Sequence, residues 1–222
     1  MSRQEIERQF AQMTRWYGCF LRDWLPPDRD ALVLDIPCGH GNLLYFLKQA
    51  GYRQVRGYDL EPERVAVAHE LGLPAEQGDA WEVLREQRGA ALVACLDFLE
   101  HLDPGRVPEF LALCREALRP GGRFVARLPF TDSILGAHDL FNDVTHKWAA
   151  NSSVVLELVQ QAGFESVEIR DERPVPYKLV NWGRLAAFHV CKAATNLWLM
   201  GLGLGPRQVW STSGWVSGER GR

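Results

Sequence analysis

The chain has 222 residues, 46% apolar and 24% charged, which is an ordinary globular composition with length enough for one domain and a substantial core. Twenty-five basic residues against 28 acidic ones give a formal charge of −3 and a pI near 6.1, without the basic excess of a nucleic-acid binder. Five scattered cysteines (Cys19, Cys38, Cys95, Cys114 and Cys191) include no C-x-x-C pair, so neither a zinc site nor a disulfide framework is expected.

In chain order, Ser2 and Glu5 form an S-x-x-E capping pattern ahead of a helical stripe: Ile6, Phe10, Met13, Tyr17, Phe20 and Trp24. Pro26-Pro27 ends that helix. No apolar signal core precedes it, and buried thiols suit a reducing cytosol, so a cytoplasmic protein is expected.

Strands and helices then alternate. ALVLDI (31–36) reads as a strand and NLLYFLKQA as a helix closed by Gly51. VRGYDL (55–60) is the second strand, and a helix opens at Pro62 and runs to Gly72. PAEQGD (74–79) is a weak third strand with a helix from about Trp81. ALVACLDF (91–98) is an apolar run, as for a strand covered on both faces. A helix from near Pro104 to Leu118 ends in RPGG, and RFVARLPF (123–130) follows as a strand. Asn151 or Ser152 caps the helix VVLELVQQA, and SVEIRDE (166–172) is the next strand. VWSTSGWVS is expected to supply a last, antiparallel strand. This alternation is the signature of an α/β fold with a doubly wound, mainly parallel sheet and helices on both faces. Ligands in such sheets sit beyond the carboxyl ends of the strands.

The residues in those places are acidic. Asp35, Asp59 and Asp79 end or follow the first three strands, and Asp59 lies 59 − 39 = 20 residues beyond Gly39, the spacing that sets a carboxylate beside a ribose. Gly39 and Gly41 let the backbone approach a ligand closely. A nicotinamide dinucleotide fits poorly: Leu44 replaces the third glycine of G-x-G-x-x-G, and Asp35 would repel a pyrophosphate. An adenosine carrying an amino-acid tail suits all three acids, with Asp35 toward the ammonium, Asp59 on the ribose and Asp79 toward the adenine amino group.

With VLDIPCGHGNLL, GYDLEPE, GDAWEVL, LDFLEHL and LRPGGRFVARLP in register from about 30 to 172, the chain resembles a class I S-adenosylmethionine-dependent methyltransferase. The resemblance implies a Rossmann-like seven-stranded sheet with its last strand antiparallel, and one methyltransferase domain over 1–222. Within it, 1–25 would be a lid helix, 30–172 the core and 178–204 a helical insertion. It implies S-adenosyl-L-methionine as cofactor, S-adenosyl-L-homocysteine as product, and cofactor contacts at Asp35, Cys38, Gly39, Gly41, Asp59, Leu60, Asp79, Ala80 and Leu96. Pro37 departs from the family's first glycine and has no N–H, so bonds from this loop must come from Cys38, Gly39 or later residues.

FNDVTHKWAANSSVVLELVQQAGFE is similar to a segment of a bacterial subgroup acting in polysaccharide and natural-product pathways, which implies a small-molecule or glycan-like acceptor. Asp143 and His146 are the candidate catalytic pair, a carboxylate orienting an imidazole base. His138 and His101 are weaker choices. The sulfonium donor is already activated, so no metal is expected. The expected activity is O-methylation, with N-methylation or a non-catalytic scaffold as alternatives and no nucleic-acid partner. Residues 185–205 carry only Lys192 as a charge, yet His189, Thr195 and Asn196 rule against a membrane span. Trp182, Trp198, Trp210 and Trp215 make the tail aromatic-rich, leaving an acceptor pocket, a homodimer face or a peripheral membrane contact as its open uses.

Overall fold

The computed structural model describes residues 3–132 and 136–222, apart from the side chains of Arg3 and Asp139; Ser2 of the capping pattern lies outside them. The N-terminal stripe forms α1 (Arg3–Leu21). Then β1 (Val33–Asp35), α2 (Asn42–Gln49), β2 (Val55–Asp59), α3 (Pro62–Glu70), β3 (Ala75–Gln77), α4 (Ala80–Glu86) and β4 (Ala90–Leu96) alternate. After two short 3₁₀ turns come α5 (Val107–Ala117), β5 (Leu118–Pro129), α6 (Gly136–Phe141), α7 (Ser152–Gln161), β6 (Phe164–Asp171), α8 (Leu179–Gly201) and β7 (Ser213–Arg220).

The seven strands form one sheet in the order β3-β2-β1-β4-β5-β7-β6. All neighbours are parallel except β7, which runs antiparallel to both β5 and β6. The order reverses between β1 and β4, so the switch-point crevice opens where Asp35 and Leu96 end their strands.

Period-two alternation assigns each strand residue to a face. Leu92, Ala94 and Val125 pack toward α1, α2 and α3, whereas Val93, Cys95, Phe124, Ala126 and Leu128 pack toward α4, α5 and α7. Burial on both faces is why the β4 sequence reads as unbroken apolar residues. In α1 the stripe seats Phe20 flat on Trp215 of β7, with centroids 5.8 Å apart and 11° between planes.

Several boundaries differ from the sequence expectation, β1 and β4 among them. RPGG belongs to β5 and not to a helix end: Ala90 pairs with Leu118 but Leu92 with Arg123, so residues 119–122 bulge out of register. β6 begins two residues earlier, at Phe164. β7 begins only at Ser213, because Asp171 Oδ1 captures the backbone N–H groups of Trp210 and Ser211 at 3.1 and 3.0 Å. Among the described residues, no helix is long and apolar enough to cross a membrane.

Candidate functional site

Asp35 ends β1 as a buried carboxylate whose Oδ2 has no hydrogen-bond partner. Burial, and then the charge of Asp59, push its pKa well above the usual carboxylate range. A buried, unpaired carboxylate is costly, and a cation brought to it relieves that cost.

The loop after Asp35 is bound down onto β2. Cys38 N–H donates to the Tyr58 carbonyl at 2.8 Å, and Gly39 N–H donates to Asp59 Oδ2 at 2.8 Å. Asp59 Oδ1 accepts from Glu61 N–H at 3.0 Å. Each carboxylate oxygen can accept two hydrogen bonds, so Asp59 keeps acceptor capacity for a ligand, with Arg64 Nη1 3.9 Å from its Oδ2. Gly57 permits this close docking: a Cβ there would stand 2.5 Å from Leu44 Cδ1 and 2.9 Å from Cys38 Cβ. Leu44, at the place of a dinucleotide-binding glycine, is wholly buried in that contact.

Two adjoining cavities open on these groups. One, of about 200 Å³, is walled by Tyr17, Asp35, Cys38, Gly39, Leu96 and Asp97, among others. The other, of about 530 Å³, is walled by Leu60, Asp79, Ala80 and Trp81 on one side and by Phe98, His101, Asp143 and Thr145 on the other. Pro37, Asp59, Arg64 and Asp97 line both. Asp79 caps α4, its Oδ1 accepting from Trp81 and Glu82 N–H at 2.8 and 3.2 Å, which leaves Oδ2 for a ligand.

Eight of the nine residues expected around the cofactor therefore share these walls. Gly41 does not. Its backbone is left-handed (φ +89), and a Cβ on it would meet Leu73 at 2.8 Å, so it serves helix packing. The N–H groups of Cys38 and Gly39, expected to face a ligand, are instead consumed within the protein.

The expected Asp143–His146 pair is also rearranged. Asp143 Oδ1 accepts from Thr145 N–H at 2.8 Å and from Thr145 Oγ1 at 2.7 Å, while His146 Nδ1 lies 2.8 Å from the Leu140 carbonyl. The ring held by the Asp143–Thr145 unit is His101, whose Nδ1 is 2.9 Å from Thr145 Oγ1. Because the carboxylate only accepts, the threonine hydroxyl donates to Asp143 and must accept from His101 Nδ1–H. Burial, then the neighbouring His146, lower the His101 pKa and favour a neutral ring. The two rings lie 4.8 Å apart, and beside them Glu100 is buried with Oε2 unpartnered and its pKa pushed up to about 8 by burial. His138, the remaining candidate, lies on α6.

A third cavity, of about 650 Å³, is walled by Met13 and Trp16 of α1, Arg184 and Phe188 of α8, and Trp210. Successive α1 residues thus face different cavities, Tyr17 that of about 200 Å³ and Trp16 that of about 650 Å³. Between them stands Arg127 of β5, paired with Glu172 (Nε to Oε2, 2.7 Å) and Asp97 and lying over the Trp16 ring at 5.3 Å. Sequence reasoning missed Gly57, Thr145, Glu100 and Arg127. An arginine at the middle of the run RFVARLPF, between Ala126 and Leu128, was the available signal for the last.

Residues 33–122 match the model of a methyltransferase domain family. No functionally curated relative matches the chain. Among solved structures, a SAM-dependent methyltransferase from Archaeoglobus fulgidus aligns over 98% of this chain and 94% of its own, at 21% identity and a TM-score of 0.67. One from Mesorhizobium loti aligns over 95% and 100%, at 18% identity and 0.69. A phosphoethanolamine N-methyltransferase of Haemonchus contortus, bound to phosphomonomethylethanolamine and S-adenosylhomocysteine, aligns over 92% of this chain and 52% of its own, at 16% identity and 0.62. At such identities these likenesses concern the fold.

Proposed function

We propose that this chain, a class I S-adenosylmethionine-dependent methyltransferase by its domain at residues 33–122 and by its fold, methylates a hydroxyl oxygen of a small or glycan-like acceptor. The observation that carries the cofactor is the orphaned Oδ2 of Asp35, a buried carboxyl oxygen with no partner on the wall of the smaller cavity. There it would bind the ammonium, while Asp59 takes the ribose hydroxyls and Asp79 Oδ2 turns toward the adenine amino group. Leu60, Ala80 and Leu96 would pack against the nucleoside and thioether. Bound so, S-adenosyl-L-methionine supplies a methyl group already activated on a sulfonium and leaves as S-adenosyl-L-homocysteine.

The chain's own part is mostly alignment, for which effective molarities of ~10⁵ M or more are precedented. Oxygen is favoured over nitrogen as acceptor because a hydroxyl must lose its proton, and the neutral imidazole favoured at His101 stands ready for it, with the His146 ring 4.8 Å away. The Asp143–Thr145 unit fixes His101 with Nε2 unprotonated. The third cavity, with Trp16, Trp210 and Arg184 on its walls, suits the body of a sugar-like acceptor. The D-x-T-H element at 143–146 supports placing the chain with the bacterial polysaccharide and natural-product enzymes.

For the tail we propose peripheral contact with an anionic lipid surface. Leu179, Trp182, Val190, Leu197 and Met200 form an exposed apolar stripe along α8. From Arg173 to Gly218 the sequence holds Arg173, Lys178, Arg184, Lys192 and Arg207 but no acid. Lys192 is paired with Asp171 at 2.6 Å, and the other cations of this segment would be attracted by anionic lipid. Sedimentation with phosphatidylglycerol vesicles, but not phosphatidylcholine ones, is the expected result; a salt-insensitive dimer would overturn it.

Calorimetry tests the main reading: S-adenosylhomocysteine should bind one per chain and NAD should not. Binding of neither would leave a scaffold with this fold.

A further inference from the structure

One ligand-capable atom from each of Glu100, His101 and His146 lies within 4.8 Å of the other two. Such clusters are common without an ion, but here two independent features point to one. The first is Glu100, which is 3% exposed and whose Oε2 has no partner. A buried carboxyl oxygen beside two imidazoles, with no hydrogen-bond partner of its own, is an unused ligand atom.

The second is the tautomer of each ring. Thr145 has a single hydroxyl hydrogen, which Asp143 can only receive; His101 therefore donates from Nδ1 and carries its lone pair on Nε2. The Leu140 carbonyl likewise only accepts, so His146 also donates from Nδ1 and carries its lone pair on Nε2. Metal-bound histidines are held in this way, with the non-ligating N–H on a carbonyl or on a carboxylate-backed group. Both orienting partners are already in place.

We propose that Glu100, His101 and His146 form a binding site for one divalent first-row cation, with coordination positions left open for oxygen donors of the acceptor. Two imidazoles and one carboxylate suit zinc, cobalt, nickel, iron or manganese better than magnesium or calcium, which prefer all-oxygen sets. Ligand atoms about 2.0–2.2 Å from a cation sit roughly 3.0–3.4 Å from one another, so the cluster contracts by ~1–2 Å on loading. The chain permits it. Glu100 and His101 stand on the 3₁₀ turn after β4 and His146 on the segment after α6, and these are already joined by Lys147 N–H to the Glu100 carbonyl (2.9 Å) and Trp148 Nε1–H to the Leu99 carbonyl (2.7 Å). His101 lines the 530 Å³ cavity and His146 a neighbouring one of about 430 Å³, so the cation would sit at the wall between them.

The role of the open positions deepens the methyl-transfer reading and rests on it: a hydroxyl ligated there becomes more acidic, and with both Nε2 atoms on the cation its proton passes to solvent water in the cavity and not to an imidazole. Occupancy of the site does not rest on that reading.

Cobalt(II) is the probe. Titrating it into the purified, chelator-treated chain should give visible ligand-field absorption saturating at one equivalent. His101→Ala and His146→Ala should each weaken binding about tenfold or more, and the double variant should abolish the bands. Glu100→Gln, which keeps the buried volume, should alter their position and intensity. His189→Ala on α8 should bind as the parent does. Circular dichroism and cooperative thermal unfolding report that each variant is folded. Catechol, a two-oxygen donor, should shift the spectrum of the loaded chain. Absence of bands at millimolar cobalt, or unchanged binding in the folded double variant, overturns the site; an unshifted spectrum with catechol overturns the open positions. Cobalt binding without S-adenosylhomocysteine binding would leave the site standing and remove the methyl-transfer reading.

Discussion

Gly39 N–H donates to Asp59 Oδ2 at 2.8 Å, tying the turn after β1 to the end of β2 across 20 residues of sequence. The spacing that suggests a ribose carboxylate is thus also a structural fastener. Asp59→Ala should act twice: it strands the Gly39 and Glu61 N–H groups, at about 1–3 kcal/mol each, and removes the acceptor proposed for the ribose. The expected result is a lower Tm together with weaker S-adenosylhomocysteine binding by calorimetry. A large loss of stability with unchanged affinity would show that the carboxylate only fastens the loop.

Gly57→Ala tests the close approach beneath that loop. The added methyl would stand 2.5 Å from Leu44 and 2.9 Å from Cys38, so the loop must shift. Overpacking of this kind costs about 1–3 kcal/mol and should also weaken cofactor binding, because Cys38 and Gly39 move with it. Adding Leu44→Ala vacates the space. The double variant should be less destabilised than the sum of the two single changes, measured by urea denaturation.

Asp35 should make cofactor binding pH-dependent. Its pKa is raised in the free chain by burial first and Asp59 second, and an ammonium partner favours the ionised form. Binding therefore releases a proton wherever Asp35 is protonated beforehand, and affinity rises with pH through that raised pKa. Stability of the free chain has the opposite sign: the folded pKa exceeds the unfolded value, so this group's contribution is present below the unfolded pKa and is lost as pH rises through the folded one. Titration in buffers of different ionisation enthalpy should show proton release in the parent and none in Asp35→Asn.

Much of this architecture was legible because it follows from local rules. Apolar runs covered on two faces, caps such as Asp79 and Asn151, and acids at successive strand ends all leave marks within a few residues. What escaped depends on distant packing. Nothing near Gly57 reveals that Leu44 and Cys38 press upon it. Nothing in D-x-T-H reveals that Asp143 serves His101, 42 positions away, and not the histidine three residues on. The bulge of 119–122 likewise depends on β4, whose pairing shifts between Ala90 and Leu92.

That rearranged pairing separates two roles in one experiment. Thr145→Val keeps the side chain's shape but removes the hydroxyl that holds His101 Nδ1–H, so the ring can take either tautomer. Loss of such an orienting partner typically costs about 10–100-fold at a metal site, and a comparable fall in kcat is expected here. Asp143→Asn should be milder, since an amide oxygen still accepts from the threonine hydroxyl. His146→Ala removes the ring beside His101 and should lower kcat while leaving KM for S-adenosylmethionine near the parent value, because His146 lines neither cavity proposed for the cofactor. Steady-state kinetics on the four chains decides the matter. If Thr145→Val retains full kcat while His146→Ala and Asp143→Asn both lose it, the original pairing of Asp143 with His146 is the working one and the orientation of His101 is incidental.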